Sequence, residues 1–149
     1  MEIQTRVFGT IEIDGDRVVR LTEPMAGFPG LRRFAVLNPD QENAFQWLQS
    51  VDRAEVCFLI ADPRVFFPSY QLGLPPSRLA DLELEGHEEA VVAVILTAGE
   101  DLSRTTANLL APLVFNAQKG LARQVILEGS GHPVRAPLFE ERLAACQGA

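Results

Sequence analysis

The side chains of this chain best equipped for chemistry are two histidines, two cysteines and a few adjacent carboxylates. His132 follows Ser130 in Gly-Ser-Gly-His-Pro, which supplies the residue types of a nucleophile and its base. The surroundings do not match the Gly-x-Ser-x-Gly elbow, and such an arrangement is defined by geometry rather than by closeness in sequence. The segment therefore reads as a loop. His87 lies in Glu-Gly-His-Glu-Glu and reads as an exposed acidic turn. Neither histidine has a second histidine or a cysteine at ligand spacing, and a structural zinc site needs about four such ligands, so no metal is expected. Asp81 with Glu83, or Glu88 with Glu89, offers an acid and a base on paper. Carboxylates paired on turns read instead as solvated surface. Gly27-Phe28-Pro29-Gly30 makes a poor phosphate cradle because Pro29 has no N–H to give. No P-loop or dinucleotide fingerprint occurs. Cys57, inside Val-Cys-Phe-Leu-Ile, reads as a small core residue. With Cys146 it does not make a disulfide framework. The expectation is a protein without catalytic residues, cofactor or metal.

Two segments carry more specification than a plain core needs. Thr105 to Asn116 should be an unbroken apolar run if it is a buried strand, yet Pro112 sits within it and Asn108 and Asn116 stand towards its ends. Proline forces such a run to an edge, a bulge or a crossing point. Asparagines beside the break either bond the main-chain groups it leaves unpaired or face a partner. The second segment is Asp62-Pro63-Arg64-Val65-Phe66-Phe67-Pro68-Ser69-Tyr70. Asp-Pro ends the preceding strand as a turn would, and Pro68 blocks ladder pairing. Phe66 and Phe67 then either plug the end of a barrel or meet a partner, and the Tyr70 hydroxyl favours a wet rim.

The elements that must position these segments are mostly strands. Ile3 to Ile13 alternates with period two, which predicts a half-buried strand bent or bulged at Gly9. Asp14-Gly15 is a hairpin signal, with Arg17 to Leu21 returning. Further strands are expected over 33–37, 44–50, 55–61, 89–97, 109–116 and 121–128. In the 44–50 strand Trp47 and Gln49 share a face. Helix is scarce: a short one over Pro76 to Leu82, and a second over Leu138 to Cys146 before the end frays. Many short strands separated by turns predict a small all-β, single-domain, barrel-like fold of mostly antiparallel strands with one or two short helices.

Length and composition agree, since 149 residues with 47% hydrophobic and 22% charged content fit one globular domain. No run approaches the ~20 apolar residues of a membrane span, and no secretory signal is visible, so a cytoplasmic protein is expected. Twenty acidic against 13 basic residues give a net charge of −7. Direct nucleic-acid binding needs a basic face and is not expected. An acidic surface suits a basic partner instead, including a protein that itself handles RNA.

In order along the chain stand Phe28-Pro-Gly-Leu31 with Phe34, then Phe45-Gln-Trp-Leu-Gln-Ser-Val51, then Phe58-Leu-Ile-Ala-Asp-Pro63 running into Phe66-Phe-Pro-Ser-Tyr70. Thr106-Ala-Asn-Leu-Leu-Ala-Pro-Leu-Val-Phe-Asn116, Gly120 and Gln124-Val-Ile-Leu127 complete the series. This ordered set resembles the FliW family of bacterial flagellar assembly factors over residues 1 to 139, with Glu128 longer than the acidic residue that often closes the last strand there. Residues 140 to 149 form a tail beyond the resemblance. The resemblance implies a non-enzymatic, barrel-like monomer that binds flagellin in the cytoplasm. It further implies that, once released as flagellin is secreted, the protein binds and antagonises the RNA-binding translational repressor CsrA. On that reading Phe66, Phe67, Tyr70, Asn108, Pro112 and Asn116 contact or shape the partner surface. A flagellin-specific chaperone without a regulatory arm is the alternative, ahead of a ligand-binding barrel or an enzyme.

Overall fold

The computed structural model describes residues 1–38, 44–74, 76–84 and 90–139. Its strands are β1 (Glu2–Thr5), β2 (Gly9–Glu12), β3 (Val18–Leu21), β4 (Arg33–Leu37), β5 (Phe45–Ser50), β6 (Cys57–Ala61), β7 (Ala90–Thr97), β8 (Thr106–Ala107), β9 (Leu113–Asn116), β10 (Leu121–Gln124) and β11 (Ala136–Pro137). One helical turn, α1 (Pro63–Phe66), follows β6. The order β7-β6-β5-β4-β3-β10-β9, with β9 pairing back onto β7, closes a seven-stranded barrel. All its pairings are antiparallel except β3 with β10. The expected all-β barrel is therefore the observed fold.

Alternation decides which side chains fill the barrel. Registers such as Val36↔Leu48, Leu48↔Phe58 and Ala93↔Leu113 put one apolar set on a common inner face. Val19, Leu21, Phe34, Leu48, Ile60, Leu113 and Phe115 pack there as one buried cluster. Burying each such side chain contributes about 1.5–3 kcal/mol. The opposite face of β7 and β9 carries a second cluster, in which Val94, Leu96 and Val114 meet Tyr70, Leu79, Leu82, Leu109 and Leu138. A third cluster joins Ile3 and Ile13 to Ala35 and Leu37 outside β4, with Trp47 packed against it.

Several expectations change. Ile3 to Ile13 is not one strand but the hairpin β1–β2, turned at Arg6–Phe8. Thr5 makes that turn without proline: its Oγ1 donates to the Gly9 carbonyl (2.7 Å) and accepts from the Phe8 N–H (2.8 Å). Gly9, at φ +67°, supplies the left-handed residue that closes it. Asp14-Gly15 begins a 3₁₀ turn over Gly15–Arg17 rather than a two-residue hairpin, and β3 pairs with β4 and β10 instead of β2. The strand expected over 109–116 starts only at Leu113, after Pro112, and the one expected to reach residue 128 ends at Gln124. Pro76–Leu82 is a 3₁₀ segment with a break at Leu79. The helix expected over Leu138 to Cys146 lies, from residue 140 on, outside the described residues.

Candidate protein-binding surface

Pro112 marks a bulge, one of the options its presence predicts. Leu96 pairs with Ala107 and Ala93 with Leu113, so Val94 and Ile95 of β7 face the five residues Asn108–Pro112. Asn108 holds the bulge from within: its Oδ1 accepts from the N–H groups of Leu110 and Ala111, both at 3.1 Å. Its own N–H donates to the Ile95 carbonyl (2.9 Å). On the other side, the Pro112 and Leu110 carbonyls accept from Val125 (2.9 Å) and Leu127 (2.8 Å), which prolongs β10 along the bulge. Pro112 is buried.

Asn116 closes the same segment and is 1% exposed. Its Nδ2 donates to the carbonyls of Leu82 (2.9 Å) and Glu83 (3.3 Å), and its Oδ1 accepts from the Lys119 N–H (3.2 Å). Glu83 has a φ of +55°, unusual for a residue with a side chain. Asn116 thus pins a strained turn to the end of β9. Both asparagines bond main-chain groups, with Asn116 buried and Asn108 half-buried.

The aromatic loop is anchored as firmly. Asp62 Oδ1 accepts from the Arg64 N–H (2.9 Å), with Pro63 buried at the first helical position, so α1 starts with a proper cap. Phe67 and Tyr70 continue the turn through N–H bonds to the Pro63 and Phe67 carbonyls (2.7 and 2.9 Å). Phe66 packs between Phe45 and Phe139, with ring centroids 5.7 and 5.9 Å away. Phe66 and Phe67 are half-buried against the outer cluster on β7 and β9, so they cover the barrel wall and do not plug its end. Tyr70 departs from its expected wet rim. It is 6% exposed, and its hydroxyl donates to the Leu109 carbonyl at 2.7 Å. Burial pushes the Tyr70 phenol up to about 12. The reason is the bulge, which frees the Leu109 carbonyl from the ladder and leaves it for the hydroxyl.

What remains exposed here is Arg64, Val65, Pro68 and Ser69, together with Ile126 opposite the bulge. Val65 and Ile126 are about half exposed and were not anticipated. Val65 had a signal in the sequence, because a helical turn that turns Phe66 and Phe67 inwards leaves its preceding residue outside. Ile126 had none.

The groups first weighed for chemistry are engaged structurally. Ser130 Oγ accepts from the His132 main-chain N–H (3.2 Å), while the ring Nε2 lies 3.3 Å from the Gln71 carbonyl and the ring centre lies 4.8 Å from that of Tyr70, tilted by 52°. Asp81 accepts from Thr22 (2.5 Å) and Arg123 (3.2 Å), and Glu83 pairs with Lys119 at 3.5 Å. Burial raises the Cys57 thiol, which keeps it out of the reactive thiolate form. Gln49 is fully buried outside β5, where its Nε2 donates to the carbonyls of Ser50, Ala54 and Val56 and its Oε1 accepts from the Arg6 N–H. Among the described residues no three metal-ligating side chains gather. His87, Glu88 and Glu89 lie outside the described residues.

An anchored, chemically quiet surface on a closed barrel can be compared with known proteins. A model of the FliW protein family matches residues 2–138. The chain belongs to the FliW family. It is 37% identical over 141 residues to the flagellar assembly factor FliW of Bacillus licheniformis, covering 95% of this chain and 99% of that one. To the protein of the same name from Thermoanaerobacter pseudethanolicus it is 32% identical over 142 residues, 95% of each. A crystal structure of the flagellar assembly factor FliW superposes with a TM-score of 0.88 at 34% identity, covering 95% of this chain and 99% of that one. No described helix is long and apolar enough to cross a membrane.

Proposed function

We propose that this chain is a non-enzymatic cytoplasmic regulator that works by exchanging protein partners. It binds flagellin while flagellin is abundant. When flagellin is secreted, the free protein binds and antagonises a CsrA-type translational repressor, and flagellin synthesis resumes. Family membership over nearly the whole chain carries this reading. The anchoring of the 62–70 and 108–116 segments supports it. Their polar side chains hold main-chain groups in place, so the surface is preorganised before a partner arrives and loses little freedom on binding. A net charge of −7 suits a repressor whose own surface must be basic to hold RNA.

Calorimetric titration with the same organism's CsrA-type repressor, before and after saturation with flagellin, tests the exchange. Repressor binding that flagellin abolishes is the expected result. Flagellin binding without repressor binding would leave only a flagellin chaperone.

A further inference from the structure

The β1–β2 hairpin has an open edge beside a cleft. Met1 and Ile13 exchange both main-chain hydrogen bonds, at 2.8 and 3.0 Å. With Glu2 opposite Glu12, Ile3 opposite Ile11 and Gln4 opposite Thr10, antiparallel alternation makes Ile3–Ile11 the next bonded pair. The main-chain N–H and C=O groups of Thr10 and Glu12 therefore point away from β1. No strand pairs with β2 on that side among the described residues. Phe8, Ile11, Glu12 and Asp14 line a cleft of about 590 Å³ together with Met1, Leu37 and Asn38. The Asn38 Oδ1 is buried and has no hydrogen-bond partner among the described residues.

The side chains say what fits. Residues of an added strand opposite Ile11 and Ile13 would point inwards, towards Phe8 and Leu37, and should be apolar. Residues opposite Thr10 and Glu12 would point outwards. There Glu2 and Glu12 are directly opposed on one face, a like-charge pair that costs stability in an isolated hairpin. The amino group of Met1 offsets one of them at 3.4 Å, and Asp14 has no ion pair among the described residues. Among the described residues Arg17 is the single guanidinium lining the cleft. A second copy of this chain would bring more carboxylates to that edge, and charged edge residues oppose such self-pairing.

We propose that the outer edge of β2 accepts an extended segment of a protein partner as an added strand, with apolar and basic residues alternating along it. This adds to the partner exchange and rests on it only in that the chain works by holding proteins. The repressor titration and the following experiment fail separately.

The probe is a fluorescent heptapeptide of alternating valine and lysine, read by anisotropy against the full chain. Two N-methylated versions block alternate main-chain amides. One should bind about tenfold more weakly and the other unchanged, because only one set of amides faces β2. Glu12→Pro should cause a similar loss with an unaltered melting temperature, since the Glu12 N–H serves no internal bond and proline is tolerated on an edge strand. Gln4→Pro, on the far edge of β1, should leave binding intact. Absence of binding, or equal effects of the two methylation patterns, overturns the proposal. A dimer of the chain that Glu12→Pro dissociates would assign the edge to a second copy and overturn the choice of occupant.

Discussion

Inside the barrel, Phe34, Leu48 and Leu113 are sealed from solvent in an apolar cluster. Outside β7 and β9, by contrast, Tyr70, Asn108 and Asn116 each direct a polar atom to a particular main-chain group. The inner layer is held by burial, which has no preferred direction and accepts substitutes of similar volume. The outer layer has an apolar cluster of its own and adds directed bonds to it, which accept few substitutes. On the proposed partner exchange, a surface that presents one shape to each partner belongs in the second kind of layer. The barrel supplies stability, and the bulge with its loop supplies form.

Breaking the inner layer should have the largest effect. Phe34→Ala removes a ring that is 0% exposed and should lower unfolding free energy by about 3–5 kcal/mol in a denaturant titration. Next comes Asn116→Ala, which takes the partner from two carbonyls and an N–H, one of them in a buried bond and two part-buried, and should lose about 2 kcal/mol. If Asn116→Ala were as mild as an exposed substitution, the outer layer would not depend on directed bonds. Tyr70→Phe keeps the ring and deletes only the bond to Leu109, so about 1 kcal/mol is expected.

The same residue sharpens the comparison through pH. An unfolded tyrosine titrates near 10 and the folded Tyr70 at about 12, so between those values the unfolded state has lost a proton that the folded state retains. The Tyr70 contribution is complete below about pH 10 and is lost as pH rises to about 12. That part of the decline should vanish in Tyr70→Phe when melting is followed across the alkaline range. Smallest for stability is Val65→Ser. Val65 is 47% exposed, so the melting temperature should hold while affinity for a partner of this loop falls.

The strands from 33 to 61 and from 90 to 97 were legible because their alternation or unbroken apolar character persists over five residues or more. Pro112 marked a break whose options included a bulge, and its two asparagines offered main-chain bonding as one of two roles, so the sequence located the feature without choosing its form. The β1–β2 turn was not legible. Arg6, Val7 and Phe8 contain no turn residue, and the alternation continues across them into β2. The tyrosine was misplaced for a different reason. A hydroxyl favours water until a main-chain carbonyl is freed nearby, and the one that receives it lies 39 residues further along the chain. Local pattern records what a residue prefers, while distant breaks in pairing decide what it meets.

The parallel pairing of β3 with β10 places Arg20 beside Leu121, about one hundred residues apart in the chain. Closure of the barrel therefore waits for a contact of very long sequence separation, and folds with high contact order assemble slowly. A ribosome must release most of the chain before β3 can find that neighbour. The β3–β10 seam therefore cannot form until Leu121 is free, however early the strands between have paired.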